Sequence, residues 1–279
     1  MSTALAVFHG RFGRATLYRL NRPMTAHAHR EGHLIFHVSG ALGTVDVSGR
    51  RRAVASRAAV AVNPWEPHDF LPGCGDEDGL FLVLYIDPRW FVGVRHGVRS
   101  ALRFGSSEIA VTDRIGEAVE RVAELMLERR SIEQLDGRLY ELTDECHAET
   151  WRRRDPPSPC TPPAGGVNDF RVRKSIRLLS DGLGSRREIG FDAVAREAGL
   201  SRPHFYALFR RQTGVTPKLY LNTLLMERAI EILARTARTV TEIGFDLGFS
   251  SQSAFTRFFS ANVGMAPTDY RRAALVLPG

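Results

Sequence analysis

The chain has little cysteine and no long apolar run, and each absence removes a class of protein. Its three cysteines, Cys74, Cys146 and Cys160, are odd in number and widely spaced. They offer neither a disulfide framework nor a paired zinc motif, so reduced, incidental thiols are expected. No stretch approaches the roughly 18 uninterrupted apolar residues of a membrane span. The opening MSTALAVFHGRFGR lacks the charged start, apolar centre and small-residue exit of a secretory leader. A cytoplasmic protein with no membrane partner is the expectation. Excess charge is also missing from the first part: residues 1–167 hold 21 Lys plus Arg and 21 Asp plus Glu, whereas residues 168–279 hold 17 against 10. The whole net charge of +7 therefore belongs to the C-terminal part. That asymmetry suggests a polyanionic partner for this part, because neutralising phosphates releases counterions and drives nucleic-acid binding.

A chain of 279 residues is about twice a usual domain, which suggests two packed units. From Leu5 to about Phe91, short apolar runs such as ATLYRL, HLIFHVSG and GLFLVLYI alternate with turn-formers such as NRP, NPWEP and PGCGDEDG. Many short strands at regular spacing favour a small barrel or sandwich over residues 1–110. After residue 111 the period lengthens. Ile115, Val119, Val122, Leu125 and Met126 recur at helical spacing behind Thr112 as N-cap, and a second helix over about 131–151 carries Ile132, Leu135, Leu139 and Leu142 on one stripe. Residues 111–154 thus form a helical region whose stripe needs cover, and a homodimer is the expected cover, with packing against the N-terminal strands of the same subunit as the alternative. DPPSPCTPPAGG, within the linker 155–167, has five prolines and two glycines and supports neither helix nor sheet.

From Asp169 to near Leu275 the chain is helical in period, and this part repeats itself. Val194, Ala195, Ala198, Gly199 and Leu200 match Ile243, Gly244, Leu247, Gly248 and Phe249 at an offset of 49. Past the turn the offset is 50, and Phe205, Phe209, Gly214, Pro217 and Tyr220 match Phe255, Phe259, Gly264, Pro267 and Tyr270. One extra residue in the second turn accounts for the change. In each copy a small residue, Ala195 or Gly244, lets two helices touch. Gly199 or Gly248 supplies the positive φ of a tight turn, and Ser201 or Ser251 stands ready to cap the next helix. This is helix-turn-helix patterning, whose second helix projects into a major groove. Between the copies, Pro217 to Thr236 would form a strut of roughly 30 Å, near the roughly 34 Å separating successive major grooves. With phenylalanines on the inner face, the second reading helix turns Ser251, Gln252, Ser253, Thr256 and Arg257 outward. Gln252 suits adenine and Arg257 guanine, each in bidentate fashion.

GLSRPHFYALFRRQTGVTPKLYL and GFSSQSAFTRFFSANVGMAPTDYRR resemble the two motifs of the DNA-binding domain of the AraC/XylS family of bacterial transcription regulators. The resemblance covers residues 168–279 and implies an all-α seven-helix domain with two helix-turn-helix motifs. It also places the first helix's base contacts on Pro203, Tyr206 and Ala207, with Arg202, His204, Arg210 and Arg211 serving the DNA backbone or staying solvated. Pro203 and Ala207 depart from the usual polar residues, since neither side chain donates a hydrogen bond. The second unit is therefore expected to tolerate fewer DNA changes than the first.

The N-terminal part resembles, more weakly, the cupin-like β-barrel that precedes this domain in many members, through PMTAHAHREGHLIFHVSG and AVNPWEPHDF. His27 and His29 stand two apart, so on a strand they share a face, and His33 and His68 would complete a cluster. Metal-binding cupins use a His-x-His pair, a later acid and a distant His. Here His33 falls at the acid's place, with Glu31 nearby as a substitute, and His37 is left unassigned. Such imidazoles would hold a divalent transition metal. A small-molecule effector in the same barrel is the other use.

The expected fold class is α+β multidomain. A cupin-like β-barrel with two following helices precedes the all-α domain. The expected function is a ligand-responsive, non-enzymatic DNA-binding transcriptional regulator whose partners are double-stranded DNA, an effector, RNA polymerase and a second copy. A metal-dependent cupin enzyme with a helical appendage, and a helical adaptor, are the rivals.

Overall fold

The computed structural model describes residues 2–73, 77–94, 102–128, 132–153, 155, 167–183 and 190–276. Of the Pro-rich linker 155–167, residues 156–166 lie outside the described residues, as do Cys74 and Cys160. Nine strands come first: β1 (Thr3–Gly10), β2 (Gly13–Leu20), β3 (Met24–His27), β4 (Gly32–Gly40), β5 (Gly43–Val47), β6 (Arg50–Val54), β7 (Ala58–Val62), β8 (His68–Pro72) and β9 (Gly79–Ile86). A short helix α1 (Pro88–Val94), strand β10 (Glu108–Ala110) and helices α2 (Asp113–Glu128) and α3 (Ile132–Arg152) follow.

The strands form two sheets. The larger runs β10-β7-β4-β9-β2-β1 and is closed at its far edge by β11 (Ala274–Val276); the smaller runs β3-β8-β5-β6. GLFLVLYI of β9 is buried on both sides because β2 and β4 flank it and both faces of the sheet are covered, which is why it reads as an unbroken apolar run. Alternation sorts the two faces. Ala15, Leu17, Leu34, Phe36, Leu82 and Leu84 pack with α2 and α3, whereas Tyr18, Leu20, Ile35, Val83 and Tyr85 share a core with the smaller sheet and the C-terminal helices.

Thr112 caps α2 as its position suggested, its Oγ1 accepting from the Ile115 N–H at 3.3 Å. The leucine stripe meets a different partner from the one expected. Leu135, Leu139 and Leu142 are buried against α2 and the large sheet of the same chain, and Leu125 packs beside them. Among the described residues, Leu125, Leu135, Leu139 and Leu142 of the stripe are thus covered within one subunit. Outside, Arg114, Glu117, Glu120, Arg121, Glu124, Arg138 and Glu141 of α2 and α3 line one groove, while Leu127 and Trp151 are exposed.

The C-terminal part comprises α4 (Phe170–Gly182), α5 (Phe191–Glu197), α6 (Arg202–Thr213), α7 (Pro217–Arg235), α8 (Val240–Asp246), α9 (Gln252–Val263) and α10 (Pro267–Ala273). The helical period was expected to run to about residue 275. Instead α10 ends at Ala273 and the chain crosses into β11, which pairs parallel with β1 through Val7–Ala274, Phe8–Leu275 and His9–Val276. The two parts therefore share a sheet. They also share a core, in which Met226, Ala229 and Ile230 of α7 belong with Val7, Tyr18 and Leu20.

Candidate nucleic-acid interface and metal centre

Each copy of the repeat folds as two helices around a glycine turn. Residues 198–201 link α5 to α6 with Gly199 at φ +70°, and residues 247–251 link α8 to α9 with Gly248 at φ +88°. The second link is longer by Ser250, the extra residue implied by the shift in offset. A Cβ at Gly244 would lie 3.0 Å from the Cβ of Phe255, so α8 and α9 cross at backbone distance. Ser251 caps α9 by accepting from the Ala254 N–H at 3.1 Å. Ser201 makes no side-chain cap on α6, where Pro203 removes one of the two amides such a cap can serve. The phenylalanines hold the inner faces, with Phe205, Leu208, Phe209, Phe255 and Phe259 buried and Phe258 half-buried.

The outer faces carry the residues proposed to read DNA. Arg202, Pro203, His204, Ala207 and Arg210 on α6 are exposed, with Tyr206 half-buried. At α9, Ser251, Gln252, Ser253 and Arg257 are exposed and Thr256 is half-buried. Their surroundings differ. Arg202 is held by Asp192 at 3.0 Å and lies 5.9 Å from the centre of the Tyr206 ring. The Gln252 carbonyl oxygen accepts from the Thr241 hydroxyl at 2.7 Å, which fixes the amide and leaves a second lone pair for a base. Arg257 makes no hydrogen bond or ion pair among the described residues. Asp192 and Thr241, which orient these side chains from the preceding helix, gave no sign in the sequence. α7, the strut between the copies, is 19 residues long and spans about 28 Å at the usual helical rise.

The four histidines come together in the N-terminal part, all buried. His27, His29 and His68 each present a nitrogen within 4.8 Å of the others. The backbone sets their tautomers. His27 Nδ1 donates to the Thr25 carbonyl at 2.6 Å and His68 Nδ1 to the Glu66 carbonyl at 2.9 Å, so each Nε2 carries its lone pair inward. His33 Nδ1 then donates to His68 Nε2 at 3.1 Å. The Nε2 atoms of His29 and His33 are buried without a partner. Burial lowers all four below the ordinary histidine range, to about 3 for His68, so they stay neutral as metal ligands must. Glu31 is not among the grouped donors, and His37 bonds the Gly40 carbonyl elsewhere. Tyr85, which sequence reasoning did not single out, stacks on His33 at 4.3 Å, and the buried Arg14 guanidinium sits 3.5 Å from the Tyr85 ring centre. The space between the sheets beside these histidines is about 10 Å³, room for about one water.

Residues 194–273 match a family described as "Helix-turn-helix domain". The HTH-type transcriptional activator RhaS of Escherichia coli O139:H28 (strain E24377A / ETEC) is 35% identical over 85 residues, 30% of this chain and 31% of the relative. RhaS of Salmonella arizonae is 29% identical over 111 residues, 40% of this chain and 39% of the relative. The C-terminal unit belongs to the AraC/XylS family. The AraC/XylS match thus spans under half the length of these relatives. Over nearly the whole chain the architecture is that of ToxT from Vibrio cholerae. The structure of unsaturated fatty acid bound wild-type ToxT superimposes with a TM-score of 0.59 at 12% identity, covering 98% of this chain and 95% of that one. At that identity the likeness is one of fold. No helix among the described residues is long and apolar enough to cross a membrane.

Proposed function

We propose that this chain is a sequence-specific DNA-binding transcriptional regulator whose N-terminal unit senses an effector. One observation carries the reading: two repeated helix pairs turn polar and cationic faces to solvent on α6 and α9 while phenylalanines hold their inner faces, and one rigid helix joins them. The AraC/XylS membership of this unit supports it, as does the confinement of net positive charge to residues 168–279. The test is salt-dependent binding of the full chain to duplexes selected from a random pool. Each phosphate neutralised contributes about −0.9 to the slope of log K against log salt. Affinity that ignores salt would refute the reading and favour a helical adaptor.

For the effector, the cluster favours a divalent transition metal. Neutral, inward-facing imidazoles fit a zinc- or nickel-class ion, held by His27, His29 and His68, with His68 Nε2 exchanging its bond from His33 Nδ1 for the ion. ToxT, which shares the fold, takes a fatty acid; here an acyl chain exceeds the space beside the histidines, whereas an ion needs none beyond it. Cobalt titration followed by its visible spectrum checks this, with one ion per chain expected in the wild type and none in His68→Phe. Steady turnover of a substrate by the loaded protein would instead favour a metal-dependent cupin enzyme.

A further inference from the structure

Both segments that bring imidazoles to the cluster also hold the reading domain. In the first, His27 and His29 enter the cluster while their neighbours face the C-terminal helices. The Thr25 hydroxyl donates to the Ala261 carbonyl of α9 at 3.0 Å, the Thr223 hydroxyl of α7 donates to the Ala28 carbonyl at 2.9 Å, and Arg30 Nε meets Glu227 Oε2 at 3.0 Å. In the second, His68 enters the cluster and the Trp65 indole stacks on Tyr220 of α7, centroids 4.5 Å apart and planes 2° from parallel. The segments are bonded to each other, since the Trp65 N–H donates to the His29 carbonyl at 2.7 Å. Trp65 holds φ +64°, a conformation non-glycine residues keep only where their surroundings enforce it. Tyr220 in turn packs on Phe209 of α6 at 5.4 Å. One route thus joins His29 through Trp65, Tyr220 and Phe209 to the first reading helix. Another joins His27 through Thr25 to the second.

Coordination would move these segments. The candidate nitrogens lie within 4.8 Å of one another, whereas bonds of about 2.1 Å at tetrahedral angles set ligand nitrogens about 3.4 Å apart. The widest pair therefore closes by as much as about 1.4 Å. His27 and His68 are pinned to their own backbone by the carbonyl bonds to Thr25 and Glu66, so ring rotation alone does not absorb the closure.

We propose that an ion drawn in by His27, His29 and His68 is felt by both reading helices through the Trp65–Tyr220 and Thr25–Ala261 contacts, so that metal and DNA bind with reciprocal coupling. This rests on the reading of the cluster as a metal site and of α6 and α9 as DNA-reading helices. Reciprocity is a thermodynamic requirement: the factor by which the ion changes DNA affinity is the factor by which DNA changes ion affinity.

The experiment measures both affinities on the full chain with Zn²⁺ and a selected duplex. A factor of about five or more is expected, equal in the two directions. In the double variant Thr25→Val, Tyr220→Leu, which cuts both routes, the factor is expected to fall close to one. That variant should keep one zinc per chain and its metal-free DNA affinity within about two-fold. A readout without DNA is tryptophan emission, which should respond to zinc in the wild type and lose that response in Trp65→Phe. Zinc that binds stoichiometrically yet moves neither DNA affinity nor Trp65 emission overturns the coupling and leaves the DNA-binding reading standing. Undiminished coupling in the double variant, or no zinc bound at all, overturns it too. A chain that fails to bind DNA while Trp65 still answers to zinc supports the seam and refutes the DNA-binding reading instead.

Discussion

Replacing Arg257 with Met removes a guanidinium while retaining most of the side chain's bulk. Because Arg257 is exposed and makes no protein hydrogen bond or ion pair among the described residues, the fold should change in stability by no more than about 0.5 kcal/mol. Arg202 would be a poorer choice, since it is tied to Asp192 and its loss frees a carboxylate. If Arg257 reads a guanine, the substitution costs about 1–3 kcal/mol, an affinity loss of about five- to 150-fold. That loss should be confined to duplexes carrying the cognate base pair. If it meets a phosphate, all sequences weaken alike and the salt slope shrinks by about 0.9. Fluorescence anisotropy with a selected duplex and its single-base variants, at several salt concentrations, separates the two. We expect a loss concentrated at one base pair with the slope nearly unchanged. A uniform loss, or none, refutes base reading by this face of α9.

Base substitutions under the second unit should weaken binding more than those under the first, because α6 presents Pro203 and Ala207 where α9 presents Ser253 and Arg257; a mutational scan of the bound duplex checks this. Gly244→Ala should cost about 1–3 kcal/mol in urea unfolding, since the new Cβ meets Phe255 at 3.0 Å between two backbones that have little room to part.

The helix-turn-helix pairs were legible because everything that makes them is local. A small residue, a glycine with positive φ and a phenylalanine every turn recur within about 25 residues, and repetition separates that pattern from chance. The histidine cluster was legible from the His-x-His spacing, but not by strand alternation, since β3 ends at His27 and His29 lies beyond it. What covers the leucine stripe of α3 was not legible. Periodicity says that a face is covered and is silent on whether a sheet or a second copy covers it. The seam between the two parts was equally hidden, because Thr25, Trp65, Tyr220 and Ala261 are chemically ordinary and far apart in sequence. A Pro-rich joint implied independence, whereas β11 and a shared core bind the parts together.

Two half-buried titratable groups at that seam oppose each other, which gives its pH dependence a distinctive form. His9 on β1 bonds the Tyr270 hydroxyl of α10 at 2.7 Å, and burial, with Arg14 and Arg235 nearby, lowers its pKa to about 3. The unfolded chain then binds the proton more readily, so His9 contributes stability above about pH 6.5 that is lost as pH falls toward 3. Glu227 on α7 is pushed up to about 7, chiefly by burial and next by Glu31. There the folded chain is the better proton acceptor, so the contribution is present below about pH 4.5 and lost as pH rises through 7. Between pH 7 and 5 each group changes stability by about 2 kcal/mol, in opposite directions, and the two largely cancel. His9→Asn should therefore gain about 2 kcal/mol relative to the wild type on acidification over that range, and Glu227→Gln should lose about as much. Urea unfolding of the three proteins at pH 7 and pH 5 reads both. If the variants keep the wild-type pH profile, the groups are not buried at a tight seam, and the contacts by which the cluster would reach the reading helices are looser than described.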